Sequence, residues 1–124
     1  MAYSRREEAF RYSFPEPLEG EFKLAKINGH EVESNVGSVE IIDLSLNGAK
    51  ISTEYDLQIQ EADVEITLQF MIMDHPFEIQ GKVVHEESLY NKYTYGVHLN
   101  TDETTREEIT EKLKELSWSL VENK

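Results

Sequence analysis

The sequence predicts a mainly β domain: six or so antiparallel strands closed into a β-barrel, followed by one C-terminal α-helix. Three observations carry this expectation. Apolar and polar residues alternate through successive runs between Glu21 and Leu99, turn signals such as Asn28-Gly29 and Asn47-Gly48 separate the runs, and the C-terminal segment changes to helical spacing. Strands that follow one another through short turns pair antiparallel, and about six of them leave fewer open edges when the sheet closes on itself.

Residues 1–18 have no period and hold Pro15 and Pro17, so they read as an extended arm leading into the fold. Phe10, Tyr12 and Phe14 alternate along it, which lays one side of the arm on the domain. The barrel is expected over residues 19–100, its strands starting from Glu19. Glu21 to Ile27 leads into Asn28-Gly29, the dipeptide best suited to a type I′ turn because both central positions need positive φ, and His30 to Ser34 would pair back. Gly37 opens the run Val39 to Asp43, and Asn47-Gly48 turns sharply into Ala49 to Thr53. The acidic segment Glu54 to Asp63 reads as a connection.

Val64, Ile66, Leu68, Phe70 and Ile72 then alternate with Glu65, Thr67, Gln69 and Met71, the pattern of a half-buried strand. Asp74-His75-Pro76 is expected to turn the chain. After it Phe77, Ile79, Gly81 and Val83 face inward, and Tyr93, Tyr95, Val97 and Leu99 repeat the pattern. In the last segment, residues 101–124, Ile109, Leu113, Leu116 and Leu120 form one stripe of an amphipathic helix, widened by Trp118 and Val121. Thr104 and Glu107 fit a capping box at its start, and the stripe is expected to cover the barrel or a partner helix.

A chain of 124 residues forms one domain with a core of its own. Cysteine is absent, which excludes disulfides, thiolate metal sites and a cysteine nucleophile, and agrees with the reducing cytoplasm, the expected location. No apolar stretch has the length of a signal peptide or a membrane span, so no membrane insertion is expected. The net charge of −13 argues against general binding to DNA or RNA, whose nonspecific affinity comes from basic patches. That charge is unevenly placed. Residues 1–12 hold Arg5, Arg6 and Arg11 against Glu7 and Glu8, a net +1 that leaves −14 on the remainder. An anionic ligand is therefore tolerated only near the arm, where contacts outweigh an acidic field screened over about 8 Å at physiological salt.

Three of the four arginines lie in the first eleven residues, where no apolar pattern would bury them. A guanidinium offers a planar fork that matches phosphate or the Hoogsteen edge of guanine. Asp43-Leu44-Ser45-Leu46-Asn47-Gly48 supplies the complementary chemistry. The Asp43 carboxylate can accept two hydrogens from the N1 and N2 edge of guanine, Ser45 offers a hydroxyl, and Gly48 allows positive φ and close backbone approach. The same six residues also suit an ordinary strand-turn-strand in which Ser45 bonds the local backbone, and the arm also suits a solubilising tail.

Together, the arginine arm, the Asp-x-Ser-x-x-Gly turn, the antiparallel strands and the closing helix resemble the PilZ domain family, receptors for the bacterial second messenger cyclic di-GMP. The resemblance spans nearly the whole chain. It implies a six-stranded PilZ-type β-barrel with a C-terminal helix, and cyclic di-GMP as ligand, held by Arg5, Arg6, Arg11, Asp43, Ser45 and Gly48. Asp43, Ser45 and Gly48 match the family's second motif in full. Arg6 and Arg11 are five apart where the family's pair is four apart, so Arg6 and Arg11 are taken as the pair with Arg5 as a substitute for Arg6. Their implied roles are guanine stacking or Hoogsteen contact and phosphate contact. Arg106 falls outside both motifs, and no ligand role is expected for it.

The resemblance also implies signalling through a downstream protein partner. A PilZ-like interaction module without nucleotide is the alternative. No catalysis and no cofactor are expected. His30, His75, His85 and His98 lack metal-ligand spacing, His85-Glu86-Glu87 lacks a second histidine, and Ser45 is not in a nucleophile elbow.

Overall fold

The computed structural model describes residues 11–89 and 92–122. Seven strands and one helix follow in order: β1 (Arg11–Ile27), β2 (His30–Glu31), β3 (Gly37–Ser45), β4 (Gly48–Thr53), β5 (Val64–Ile72), β6 (His75–Leu89), β7 (Lys92–Leu99) and α1 (Glu103–Glu122). All pairings are antiparallel, in the order β2-β1-β3-β4-β7-β6-β5, and β5 pairs back to β1. The barrel is therefore closed by six strands, with β2 as a two-residue flap on β1. This is the predicted fold class.

The alternation predicted for β5 and the first part of β6 is reproduced. Val64, Ile66, Leu68, Phe70 and Ile72 are buried, as are Phe77, Ile79 and Val83, and they meet Ile41, Ile51, Val97 and Leu99 in one core. Asn28 and Gly29 have φ of 54° and 81°, as a type I′ turn requires. Only His30 and Glu31 pair back, opposite Ile27 and Lys26, so the return strand is shorter than His30 to Ser34.

Several boundaries differ from expectation for identifiable reasons. Among the described residues, paired backbone is already present at Arg11, ahead of the expected start at Glu19, because Phe14 is buried and Tyr12 packs against the core. Between Ser13 and Leu18 the β1–β3 register breaks, and Pro15 and Pro17, which have no N–H to donate, fall inside that break. The turn after β5 consists of Met73 and Asp74, both at positive φ (51° and 65°), one position earlier than Asp74-His75-Pro76. Pro76 is accommodated within β6 because β7 pairs with β6 only from Gly81 onward.

Asp102 caps α1, its Oδ1 accepting from the Thr105 N–H at 2.8 Å, in place of the expected Thr104 and Glu107 box. That N–H also holds the Asp102 carboxyl below the usual carboxylate range. The predicted apolar stripe is covered only in its first half. Ile109 and Leu113 are buried and Leu116 is partly so, whereas Trp118 is 69% exposed and Leu120 is 42% exposed. Among the described residues, no helix is long and apolar enough to cross a membrane.

Buried Tyr95 pins the acidic connection to the barrel. Its hydroxyl accepts from the Leu57 N–H at 2.8 Å and donates to the Tyr55 carbonyl at 3.3 Å. Burial pushes the phenol up to about 12.

Candidate ligand-binding site

The site begins with the irregularity of β3. Its pairing with β4 shifts register between Ile41 and Asp43, so strict alternation fails and both Asp43 and Leu44 are buried. Leu44 joins the core, while Asp43 is covered from outside by Arg11. Arg11 stands opposite Ser45 in the β1–β3 register, and Ser13 opposite Asp43, so Arg11 and Asp43 are diagonal neighbours on one face. The Arg11 Nη1 donates to Asp43 Oδ1 at 2.7 Å. The arginine side chain remains 52% exposed against 11% for the aspartate, so the fork projects into solvent from a sheltered carboxylate.

Ser45 ends β3 and Gly48 starts β4, with Leu46 and Asn47 between them. The Ser45 hydroxyl donates to the Gly48 carbonyl at 3.3 Å, the local backbone bond of an ordinary turn. Gly48 does not take the positive φ expected of it; among the described glycines that conformation belongs to Gly29. Its close approach is present, since a Cβ there would lie 3.2 Å from the Val97 carbonyl oxygen.

Arg11, Ser45 and Gly48 border an open cleft of about 390 Å³, whose walls also include Lys50, His85 and His98, while Asp43 sits behind Arg11. The β-ladder explains why they meet. Lys50 is opposite Asp43, Gly96 opposite Lys50, and His85 opposite Gly96, which forms one row across four strands. Gly96 contributes no side chain, so the floor between Lys50 and His85 stays low. His98 stands opposite Gly48 in the next row. In an acidic protein, Arg11, Lys50 and two imidazoles thus share one cleft, with Glu87 as its carboxylate.

A larger groove of about 1340 Å³ runs past Leu18, Met71 and Met73, but five carboxylates and no basic residue line it. By charge, the smaller cleft suits an anion better than the larger groove does. Arg5 and Arg6 lie outside the described residues. Arg11, Asp43, Ser45 and Gly48 are brought together. Lys50, His85 and His98 were not singled out from sequence. Lys50 was within reach of period-two reasoning, being two residues beyond Gly48, whereas the histidines required the cross-strand register. Among the described residues, no three His, Asp or Glu side chains gather as metal ligands.

The PilZ domain model matches residues 5–115, most of the chain. The chain belongs to the PilZ domain family. PilZ domains are, as a family, receptors for cyclic di-GMP and act by binding. The PilZ domain of CeSA from a cellulose-synthesizing bacterium superposes with a TM-score of 0.52 at 15% identity, covering 90% of this chain and 98% of that one. At that identity the likeness concerns the fold. A comparison with curated proteins gives no match.

Proposed function

We propose that this PilZ domain binds cyclic di-GMP in the cleft beside Arg11, Asp43, Ser45 and Gly48, and that binding is the signal. The observation that supports this most is the Arg11–Asp43 pair at the edge of a cleft rich in basic groups. A guanine edge presents two donors where Arg11 presents one, so the base can take over the Asp43 carboxylate and release the guanidinium to a phosphate. Ser45 and the Gly48 backbone meet the ligand at the turn, and Arg5 and Arg6 supply further forks from the arm. Hydrogen bonds to charged groups contribute roughly 1.5 to 3 kcal/mol each, so four or five can support micromolar affinity, about 8 kcal/mol, once the entropic cost of association is met.

A titration of cyclic di-GMP into ¹⁵N-labelled protein tests the location. Shifts concentrated at Asp43 to Gly48 and in β1 are expected. Shifts confined to the Met71 and Met73 groove, or absent, contradict it.

A second reading, an interaction module that works without nucleotide, is favoured by two observations. The Arg11–Asp43 pair satisfies both charges without a ligand, and Trp118 and Leu120 stand exposed on α1. A pulldown that recovers the same partners with and without added nucleotide supports this reading over the first.

A further inference from the structure

The turn between Ser45 and Gly48 is tied down by hydrogen bonds from outside the β3–β4 ladder. Leu46 and Asn47 lie between the ends of β3 and β4, so their carbonyls have no partner in that ladder. Both are satisfied from the chain entering α1. The Leu99 N–H donates to the Asn47 carbonyl at 2.8 Å. The Thr101 hydroxyl donates to the Leu46 carbonyl at 2.9 Å and lies 3.3 Å from the Asn47 side-chain oxygen.

Thr101 is in turn held by Arg106, in the first turn of α1. The Arg106 Nη1 donates to the Thr101 carbonyl at 2.7 Å and reaches its hydroxyl oxygen at 3.3 Å. A guanidinium only donates, so it occupies a lone pair of the Thr101 hydroxyl and leaves that hydroxyl's single hydrogen for the turn, where the Leu46 carbonyl is the nearer acceptor. Arg106 thereby sets the direction of the Thr101 bond. Its backbone is fixed as well: its N–H donates to the Asp102 carbonyl at 3.0 Å, and its carbonyl accepts from the Thr110 hydroxyl at 2.9 Å.

We infer that Thr101 and Arg106 are positioning residues for the Asp-x-Ser-x-x-Gly turn, holding Leu46 and Asn47 so that Ser45 and the Gly48 backbone face the cleft in a ready geometry. The ligand part of this inference rests on the proposed nucleotide reading. It gives Arg106, for which no ligand role is expected from sequence, an indirect one. In this arrangement Arg106 acts through Thr101 rather than by contact with the ligand.

Two measurements on the full chain test it: amide hydrogen exchange at Leu46 to Gly48 without ligand, and cyclic di-GMP affinity by titration calorimetry. Thr101→Val keeps the shape and removes the donor, whereas Thr101→Ser keeps the donor. Thr101→Val and Arg106→Ala are each expected to speed exchange at the turn and weaken binding by about tenfold, the scale of one net hydrogen bond. Exchange at the core amides of Ile66 and Leu68 should not change, and Thr101→Ser should behave as wild type. Unchanged exchange at the turn in both variants, Thr101→Ser behaving like Thr101→Val, or core and turn accelerating equally would each overturn the brace. If the unmodified protein binds no nucleotide, the functional reading fails while the exchange measurement still decides the brace.

Discussion

Arg11 and Asp43, thirty-two positions apart in the chain, meet at 2.7 Å because β1 and β3 place them diagonally on one face. Each is expected to matter twice. In ligand titrations, Arg11→Ala and Asp43→Ala should each remove most cyclic di-GMP binding. Without ligand, a double-mutant cycle by urea unfolding should give a coupling of about 1 kcal/mol, modest because the guanidinium is half exposed and screened. Additive effects would show the pair to be idle.

Tyr95 gives a prediction in pH. Its folded-state value of about 12 lies above the ordinary 10.0, so the neutral phenol is the form that folding favours. Its contribution is therefore complete below pH 10 and declines as pH rises from 10 toward 12, where the unfolded chain has already lost the proton. Tyr95→Phe should flatten this alkaline decline. It should also cost about 1 to 3 kcal/mol at neutral pH, because the buried Leu57 N–H loses its acceptor. Denaturant titrations from pH 8 to 12 measure both effects.

Two glycines should respond differently to alanine. At Gly81 a Cβ would lie 2.7 Å from Val97 Cγ1 and 2.8 Å from the His98 carbonyl oxygen, and a ladder carbonyl cannot step aside. Gly81→Ala is expected to destabilise by about 1 to 3 kcal/mol. At Gly48 the nearest atom is 3.2 Å away, so Gly48→Ala should cost less. Equal losses in urea unfolding would contradict this ranking.

The strands were legible because period-two burial depends only on neighbours in the chain. The break at Ser13 to Leu18 hides a strand from sequence, since its prolines signal an arm and only pairing with β3 reveals the strand on either side. The helix stripe was legible as a pattern, but nothing in Leu120 or Trp118 says where the barrel ends beneath them. Within the proposed site, Asp43, Ser45 and Gly48 are legible through the resemblance to the family's second motif, since their spacing alone equally suits an ordinary turn. His85, His98 and the bond from Thr101 to Leu46 depend on contact between distant segments, which no local pattern encodes.

The two halves of α1 should differ in energy. Ile109→Ala empties a fully buried position and is expected to cost about 2 to 5 kcal/mol. Trp118→Ala removes a side chain 69% exposed and should change stability by no more than about 0.5 kcal/mol. Thermal unfolding of both variants checks this. A large loss at Trp118 would mean that the helix end packs against something within the chain.

The central claim is that the cleft beside Arg11 and Asp43 is a cyclic di-GMP site. Isothermal titration of cyclic di-GMP into the purified protein tests it most directly, with Asp43→Ala as control. A saturable heat with micromolar affinity, lost in Asp43→Ala, is the predicted result. No heat at high protein concentration, or equal heat from the Asp43→Ala variant, would contradict the account.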